Sequence, residues 1–143
     1  SWYNMIKVGS TIAMEAWDMR YKPNSDWNHA WGAAPANIIP RYLWGIQPEK
    51  PGFEVVSIRP QMSSLKHSFI KMPTIRGEIK GEYKRINIRL TQYKIELPAN
   101  MTGDFNAGFS SADVVIVNGK SVNLSFGSVR LEPGLNEIEI RIN

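Results

Sequence analysis

The sequence predicts a mixed fold: a helical, irregular N-terminal segment over residues 1–47, followed by an antiparallel β-sandwich over residues 48–143. Three observations predict it. All five tryptophans lie before residue 48 and none after, while the second part is rich in Ile, Val, Lys, Arg and Glu. The boundary, Gln47-Pro-Glu-Lys-Pro-Gly52, is a Pro/Gly turn signal. Beyond it, apolar and charged residues alternate in short runs separated by turns, the pattern of half-buried strands.

The helical elements come first. Trp2, Met5 and Ile6 form the apolar stripe of a helix over residues 2–8, with Gly9 at its C-terminal cap. The stripe starts at the first residues, so a further segment is expected to precede them. Residues 10–29, with Pro23, Asn24, Ser25 and Asp26, read as loop. A helical stretch follows from about Ala30 to Trp44 and stops at Gly45. Pro35 and Pro40 fall inside it, which predicts a kink or two short helices with Pro35 in a first turn. Such a segment cannot close its own core. It is expected to pack on the sandwich or, preferably, on the segment that precedes it.

The strands follow. Ile75, Gly77, Ile79, Gly81 and Tyr83 fall on one face, with charges on the other. Ile86, Ile88 and Leu90 alternate, then Tyr93, Ile95 and Leu97 alternate in the opposite phase. A break near Thr91 therefore implies a turn or bulge. Asp113–Val117 reads as a more buried strand, and Asn118-Gly119 after it is a strong hairpin signal. Ile138, Ile140 and Ile142 close the chain opposite Glu137, Glu139 and Arg141.

Composition excludes several functions. There are no cysteines, so neither disulfides nor thiolate-held metals are available. The net charge is +4, but Lys and Arg alternate with Glu along the strands, which suits a solvated face and not a nucleic-acid track. No apolar run approaches the length needed to cross a bilayer as a helix. No zinc, calcium, P-loop, dinucleotide or GxSxG motif occurs, so neither a metal nor a cofactor is expected.

One stretch is rich in chemistry. Thr11–Asp18 and Asp26–Trp31 gather Glu15, Asp18, Asp26, Asn28 and His29 with Trp17, Trp27 and Trp31. Sugar sites use this mixture, because apolar ring faces stack on indoles and hydroxyls need ionic or amide partners. Each residue also has a plainer reading. On composition Glu15 is first a solvated acid near a helix end, His29 a brace for a turn, Trp17 and Trp31 core, and Asp18 and Asp26 caps or turn residues. Trp2 and Trp44 read as core, and His67 as a surface residue of a strand.

The order of motifs adds a resemblance. Gly9-Ser-Thr-Ile-Ala-Met-Glu-Ala-Trp-Asp18, then Trp27-Asn-His-Ala-Trp-Gly32, then Arg41-Tyr-Leu-Trp-Gly-Ile46 resemble the bacterial α-L-rhamnosidases of glycoside hydrolase family 78. Pro51-Gly-Phe53, Ile58-Arg-Pro60, Pro73-Thr-Ile-Arg-Gly77 and Leu97-Pro-Ala-Asn100 look like that family's C-terminal domain. The resemblance implies that residues 1–47 are the last helices of an (α/α)6 catalytic barrel and residues 48–143 its C-terminal β-sandwich. It implies an inverting α-L-rhamnosidase acting on a rhamnose-containing oligosaccharide or glycoside, and a periplasmic or secreted location. Glu15 matches the family's general base and His29 a histidine that contacts rhamnose; Trp17 and Trp31 would wall the pocket. The general acid would come from an earlier part of the same chain, and residues 1–143 alone are expected to be inactive. Met14 departs from the Trp that many members carry before the glutamate.

Two other functions compete. A sandwich can bind glycans without catalysis, but this one has no Trp, and Phe53, Phe69, Tyr83, Tyr93, Phe105, Phe109 and Phe126 mostly suit a core. A tail with no ligand that only braces a barrel is the reading residues 48–143 favour by themselves.

Overall fold

The computed structural model describes residues 1–110, 113–122 and 127–142. They form two compact units, Ser1–Ile39 and Pro40–Asn143.

In the first unit, helix α1 spans Trp2–Lys7. Gly9 ends it in the left-handed region at φ 78°. The Gly9 amide donates to Ile6 O at 3.1 Å and the Ser10 amide to Met5 O at 3.0 Å. These two bonds make a Schellman cap, as the position of Gly9 predicts. Residues 10–29 contain neither helix nor strand. A 3-10 turn over Ala30–Ala33 leads into helix α2, Ala34–Ile38, with Pro35 in its first turn. The backbone then widens into a π-turn over Ile39–Leu43. Pro40 has no N–H to offer Ala36 O, so the ordinary helical ladder cannot continue. The expected pair of short helices is present. The longer helices of a barrel are not visible: α-helix among the described residues is confined to α1 and α2.

The second unit is a two-sheet sandwich. Its strands are β1 Ile46–Pro48, β2 Val55–Ile58, β3 His67–Thr74, β4 Gly77–Asn87 and β5 Leu90–Leu97. They continue with β6 Thr102–Phe105, β7 Val114–Val117, β8 Lys120–Val122, β9 Val129–Leu131 and β10 Gly134–Arg141. One sheet has the order β1-β2-β6-β9 and the other β3-β4-β5-β10-β7-β8. The six-stranded sheet is antiparallel throughout. The four-stranded sheet is not, because β2 and β6 run parallel. Between them the chain crosses to the other sheet to build β3–β5, and that long excursion makes a parallel return possible.

The core lies between the sheets. Val56, Ile58, Phe105 and Leu131 from one face Ile79, Tyr83, Ile95 and Ile138 from the other, and all are buried. Tyr93 meets Phe105 across the gap at 5.0 Å between ring centroids. Burial pushes the Tyr93 phenol well above its ordinary pKa. Asn136 is the polar exception on the core face of β10. Its amide donates to the carbonyls of Glu132 at 2.8 Å, Gly134 at 3.1 Å and Ile95 at 3.3 Å, and its oxygen accepts from the Glu132 amide. A buried amide so fully partnered carries no desolvation penalty of the kind an orphan would.

Trp44 is the largest of these core side chains and is 1% exposed. Its indole N–H donates to Ser68 Oγ at 3.1 Å, and its ring lies on β4 at Gly81. A Cβ at Gly81 would stand 2.5 Å from the ring. Trp44 and Ile46 are thus sandwich residues. The packing break at Ile39 precedes the compositional break at 48 for that reason.

Strand phases follow the sequence with local exceptions. Ile79, Gly81 and Tyr83 face inward as expected, but Ile75 sits at the tip of the β3–β4 hairpin, 86% exposed. Ile86 and Ile88 are exposed as well. The register shifts between Arg85 and Asn87, and the chain turns at Ile88-Arg89. The phase break is therefore a bulge followed by a turn, placed a few residues earlier than Thr91. Ile142, beyond the end of β10, is exposed. Asn118 and Gly119 both take positive φ, at 50° and 78°, and join β7 to β8 with Val117 opposite Lys120. That is the two-residue hairpin the Asn-Gly pair predicts. Phe69 points away from the core, and Phe126 lies outside the described residues.

Gly81→Ala should lower the unfolding free energy by about 1–3 kcal/mol through overpacking, and Trp44→Ala by about 3–5 kcal/mol. Denaturant midpoints measure both. A wild-type midpoint for either variant would show that the indole does not hold the sheets together.

Candidate functional site

The chemistry-rich stretch forms a pinned loop. The Glu15 amide donates to Asp26 O at 2.8 Å, and the His29 amide donates to Ala13 O at 2.8 Å. These bonds lay residues 13–15 beside 26–29 without regular strands. Ser25, buried between them, accepts from the Ala16 amide at 3.1 Å. Gly32 passes so close to Met14 that a Cβ there would meet Met14 O at 2.3 Å. A glycine is required for the chain to cross at that point.

Three of the four expected site residues, Glu15, Trp17 and Trp31, line one hollow of about 460 Å³, together with Trp2, Met14 and Tyr21. The fourth, His29, stacks against Trp31 with ring centroids 4.3 Å apart and planes tilted 33°. Trp2 and Trp17 meet edge to face at 5.7 Å. Backbone carbonyls set the wall: Trp2 Nε1 donates to Gly32 O and Asn4 Nδ2 donates to Trp17 O, both at 2.8 Å. Trp2, which reads as core from its sequence pattern, is instead part of this wall and partly exposed. Trp17 and Trp31 are exposed, not core, and so is Trp27.

Glu15 is the least exposed acid of the cluster. Its side chain keeps 11% of its surface, whereas that of Lys22 keeps 42%. The Lys22 ammonium pairs with Oε1. The Asp26 amide donates to Oε2 at 3.3 Å. The hydrogen bond from Lys22, followed by that from Asp26, holds the Glu15 carboxyl below the usual carboxylate range, against the opposing effect of desolvation. His29 Nδ1 lies 3.8 Å from Asp26 Oδ2. Asp18 turns to its own neighbours, accepting from the Arg20 amide at 3.0 Å. It behaves as a turn residue.

Glu15, Asp26 and His29 each offer one ligand atom within 4.8 Å of the others, the one such trio among the described residues. With the Lys22 ammonium already on Glu15, the cluster carries its own cation. What the arrangement can do is present an ionised carboxylate, next to an imidazole, at the edge of an indole-walled hollow. Lys22 was not legible beforehand: no motif singles it out, and it reaches Glu15 only because the loop folds back.

Residues 45–106 match the bacterial alpha-L-rhamnosidase C-terminal domain. In structure this rhamnosidase-type stretch runs from Gly45 through β6, all within the sandwich unit. Solved α-L-rhamnosidases share the fold over nearly the whole chain. The enzyme from Dictyoglumus thermophilum matches 96% of this chain and 17% of its own, at 19% identity and a TM-score of 0.74. The Streptomyces avermitilis enzyme, solved with L-rhamnose, matches 99% of this chain and 15% of its own, at 20% identity and a TM-score of 0.69. The Aspergillus terreus enzyme matches 97% and 15%, at 17% identity and a TM-score of 0.70. The chain thus spans about a sixth of the length of these rhamnosidases. The rhamnosidase resemblance read from the motifs is shown by these matches. No curated protein matches the chain by sequence.

Exposure separates the tryptophans sharply. Trp2, Trp17, Trp27 and Trp31 are 39–69% exposed and Trp44 is 1% exposed. Acrylamide should therefore quench most of the indole emission and leave a blue-shifted, protected component, which Trp44→Phe should abolish. Protected emission surviving that substitution would contradict the burial of Trp44.

Proposed function

We propose that this chain is part of an inverting α-L-rhamnosidase and supplies its general base, Glu15. The single observation that carries the proposal is the placement of the ionised Glu15 carboxylate at the hollow walled by Trp17 and Trp31, beside His29. In such an enzyme the base activates a water on the ring face opposite the leaving group, with the two carboxyl groups roughly 6.5–9.5 Å apart to leave room for it. Glu15 takes the water's proton as the bond to the leaving oxygen breaks. His29 holds a sugar hydroxyl, and the exposed faces of Trp17 and Trp31 cover the apolar side of the ring. The general acid, and the rest of an (α/α)6 barrel to which residues 1–47 contribute the closing turns, belong to an earlier part of the same chain. That assignment is supported by how small a share of the matched rhamnosidases this chain spans. Residues 48–143 serve as the non-catalytic sandwich of the enzyme.

In the full-length protein, Glu15→Gln should lower kcat on an aryl α-L-rhamnoside by about 10²–10⁴-fold while substrate binding is largely kept. The wild-type product should form first as the β-anomer by NMR. Near-normal turnover by the variant would remove Glu15 from the role, and an α-anomer formed first would remove inversion. The 143-residue chain alone should release no product, and measurable cleavage by it would contradict the need for an acid from elsewhere.

A further inference from the structure

The loop that carries Glu15 is built around a second residue that the reaction does not itself require. Glu15 and Asp26 are paired twice, once through the Glu15 amide on Asp26 O and once through the Asp26 amide on Glu15 Oε2. The residues between them form a closed excursion. Turns within it are fixed by the Tyr21 amide on Asp18 O and the Ser25 amide on Lys22 O, both 3.0 Å. Lys22 stands on this excursion just before Pro23, whose ring fixes its own φ and restricts Lys22 to extended backbone. From there its ammonium reaches back to Oε1 of the residue that opens the loop. The two carboxylate oxygens thus have different partners, an ammonium on one and a backbone amide on the other. The charged and titratable groups facing Glu15 are Lys22, Asp26 and His29, with Tyr21 lining the same hollow.

We propose that Lys22 is a positioning residue for Glu15: its ammonium and the Asp26 amide together fix the carboxylate plane and leave defined lone pairs free for water. The proposal rests on Glu15 being the general base. A free glutamate side chain has three rotatable torsions and would sample many orientations. A misplacement of about 1 Å can cost on the order of 10²-fold in rate. A protonated ammonium on Oε1 suits the purpose, because it orients the carboxylate without adding a second base that competes for the water's proton. The ammonium also keeps the carboxylate charged in mild acid. A group whose folded pKa is depressed stays ionised as pH falls until that lowered value is reached, so removing Lys22 moves the loss of charge to higher pH.

The test uses Lys22→Met and Lys22→Arg. In the full-length protein, selectively 13C-labelled at its glutamate side-chain carboxyls, the Glu15 resonance should show a titration midpoint that rises in Lys22→Met and stays low in Lys22→Arg. In the full-length protein, the acid limb of kcat/KM should move to higher pH in Lys22→Met. Its plateau kcat should fall by about 10-fold or more as alignment is lost, with KM little changed and Lys22→Arg restoring both. A midpoint or acid limb that does not move in Lys22→Met would overturn the role of Lys22 while leaving Glu15 in place. Full turnover by Glu15→Gln would instead sink the base assignment and the positioning role with it, even if the NMR midpoint still responds to Lys22.

Discussion

The fit of one indole onto one glycine organises the sandwich. Trp44 can lie across the core face of β3 and β4 only because Gly81 leaves the space where any other residue would put a Cβ. The indole then meets Tyr93 edge to face at 6.5 Å, and Tyr93 packs on Tyr83 and Phe105 at 5.0 Å each. A run of rings thus links the six-stranded sheet to the four-stranded one. Its polar atoms are carried to the rim, with the indole N–H on Ser68 and the Tyr83 hydroxyl accepting from Arg85 Nε at 3.1 Å. Large aromatic surfaces are removed from water with the polar groups of Trp44 and Tyr83 still partnered. Gly45, at φ 63°, lets the chain turn from this anchor into β1, where a Cβ would strike Arg59 O at 2.1 Å.

The outer face of the six-stranded sheet is built on a different principle. Register places Glu82, Lys94 and Glu137 in one row across β4, β5 and β10. Lys94 pairs with Glu137 at 2.7 Å, Lys84 with Glu82 at 2.7 Å, Lys80 with Glu96 at 3.0 Å and Arg141 with Glu139 at 2.7 Å. Hydrogen bonds from Lys84 and from Gln92 hold the Glu82 and Glu139 carboxyls below their ordinary range, and the one to Glu137 raises Lys94. Exposed pairs of this kind each contribute at most about 1 kcal/mol. Their larger effect is to neutralise the sheet face pair by pair, so that the net positive charge does not gather there. A glycan-stacking platform needs exposed ring faces; on this face the exposed Phe69 ring stands beside Glu82 at the β3 end of the row, and ion pairs fill the rest of it.

In the first unit the indoles are left open, not buried. The short helices, the Gly9 cap and the close crossing at Gly32 shape a wall of rings around Glu15, and the loop from Glu15 to Asp26 supplies the carboxylate with partners for both oxygens. Burial of Glu15 works against its charge, and the ammonium and amide beside it work for it; the second influence prevails. The hollow therefore offers a charged acceptor beside apolar rings, a pairing that water alone would not favour.

Much of this was legible in the chain itself. Local rules act within a few residues, so the Gly9 cap, Pro35 in a first helical turn, the Asn118-Gly119 hairpin and the inward faces of β4, β5 and β10 could be read directly. The ordered motifs around Glu15 and His29 also carried the family resemblance. Other features depend on residues distant in sequence. The parallel pairing of β2 with β6, the seat of Trp44 on Gly81 and the outward turn of Trp2 are set by which surfaces meet, and periodicity carries no information about that. Ile75, Ile86 and Ile88 escaped the pattern because a hairpin tip and a bulge override alternation locally. The sequence by itself determined the elements and the presence of a glutamate, a histidine and several indoles in one short stretch. Only the tertiary structure decided that Lys22 meets Glu15, because an ion pair between residues seven apart on an irregular loop follows from the path of the backbone and from no repeating geometry.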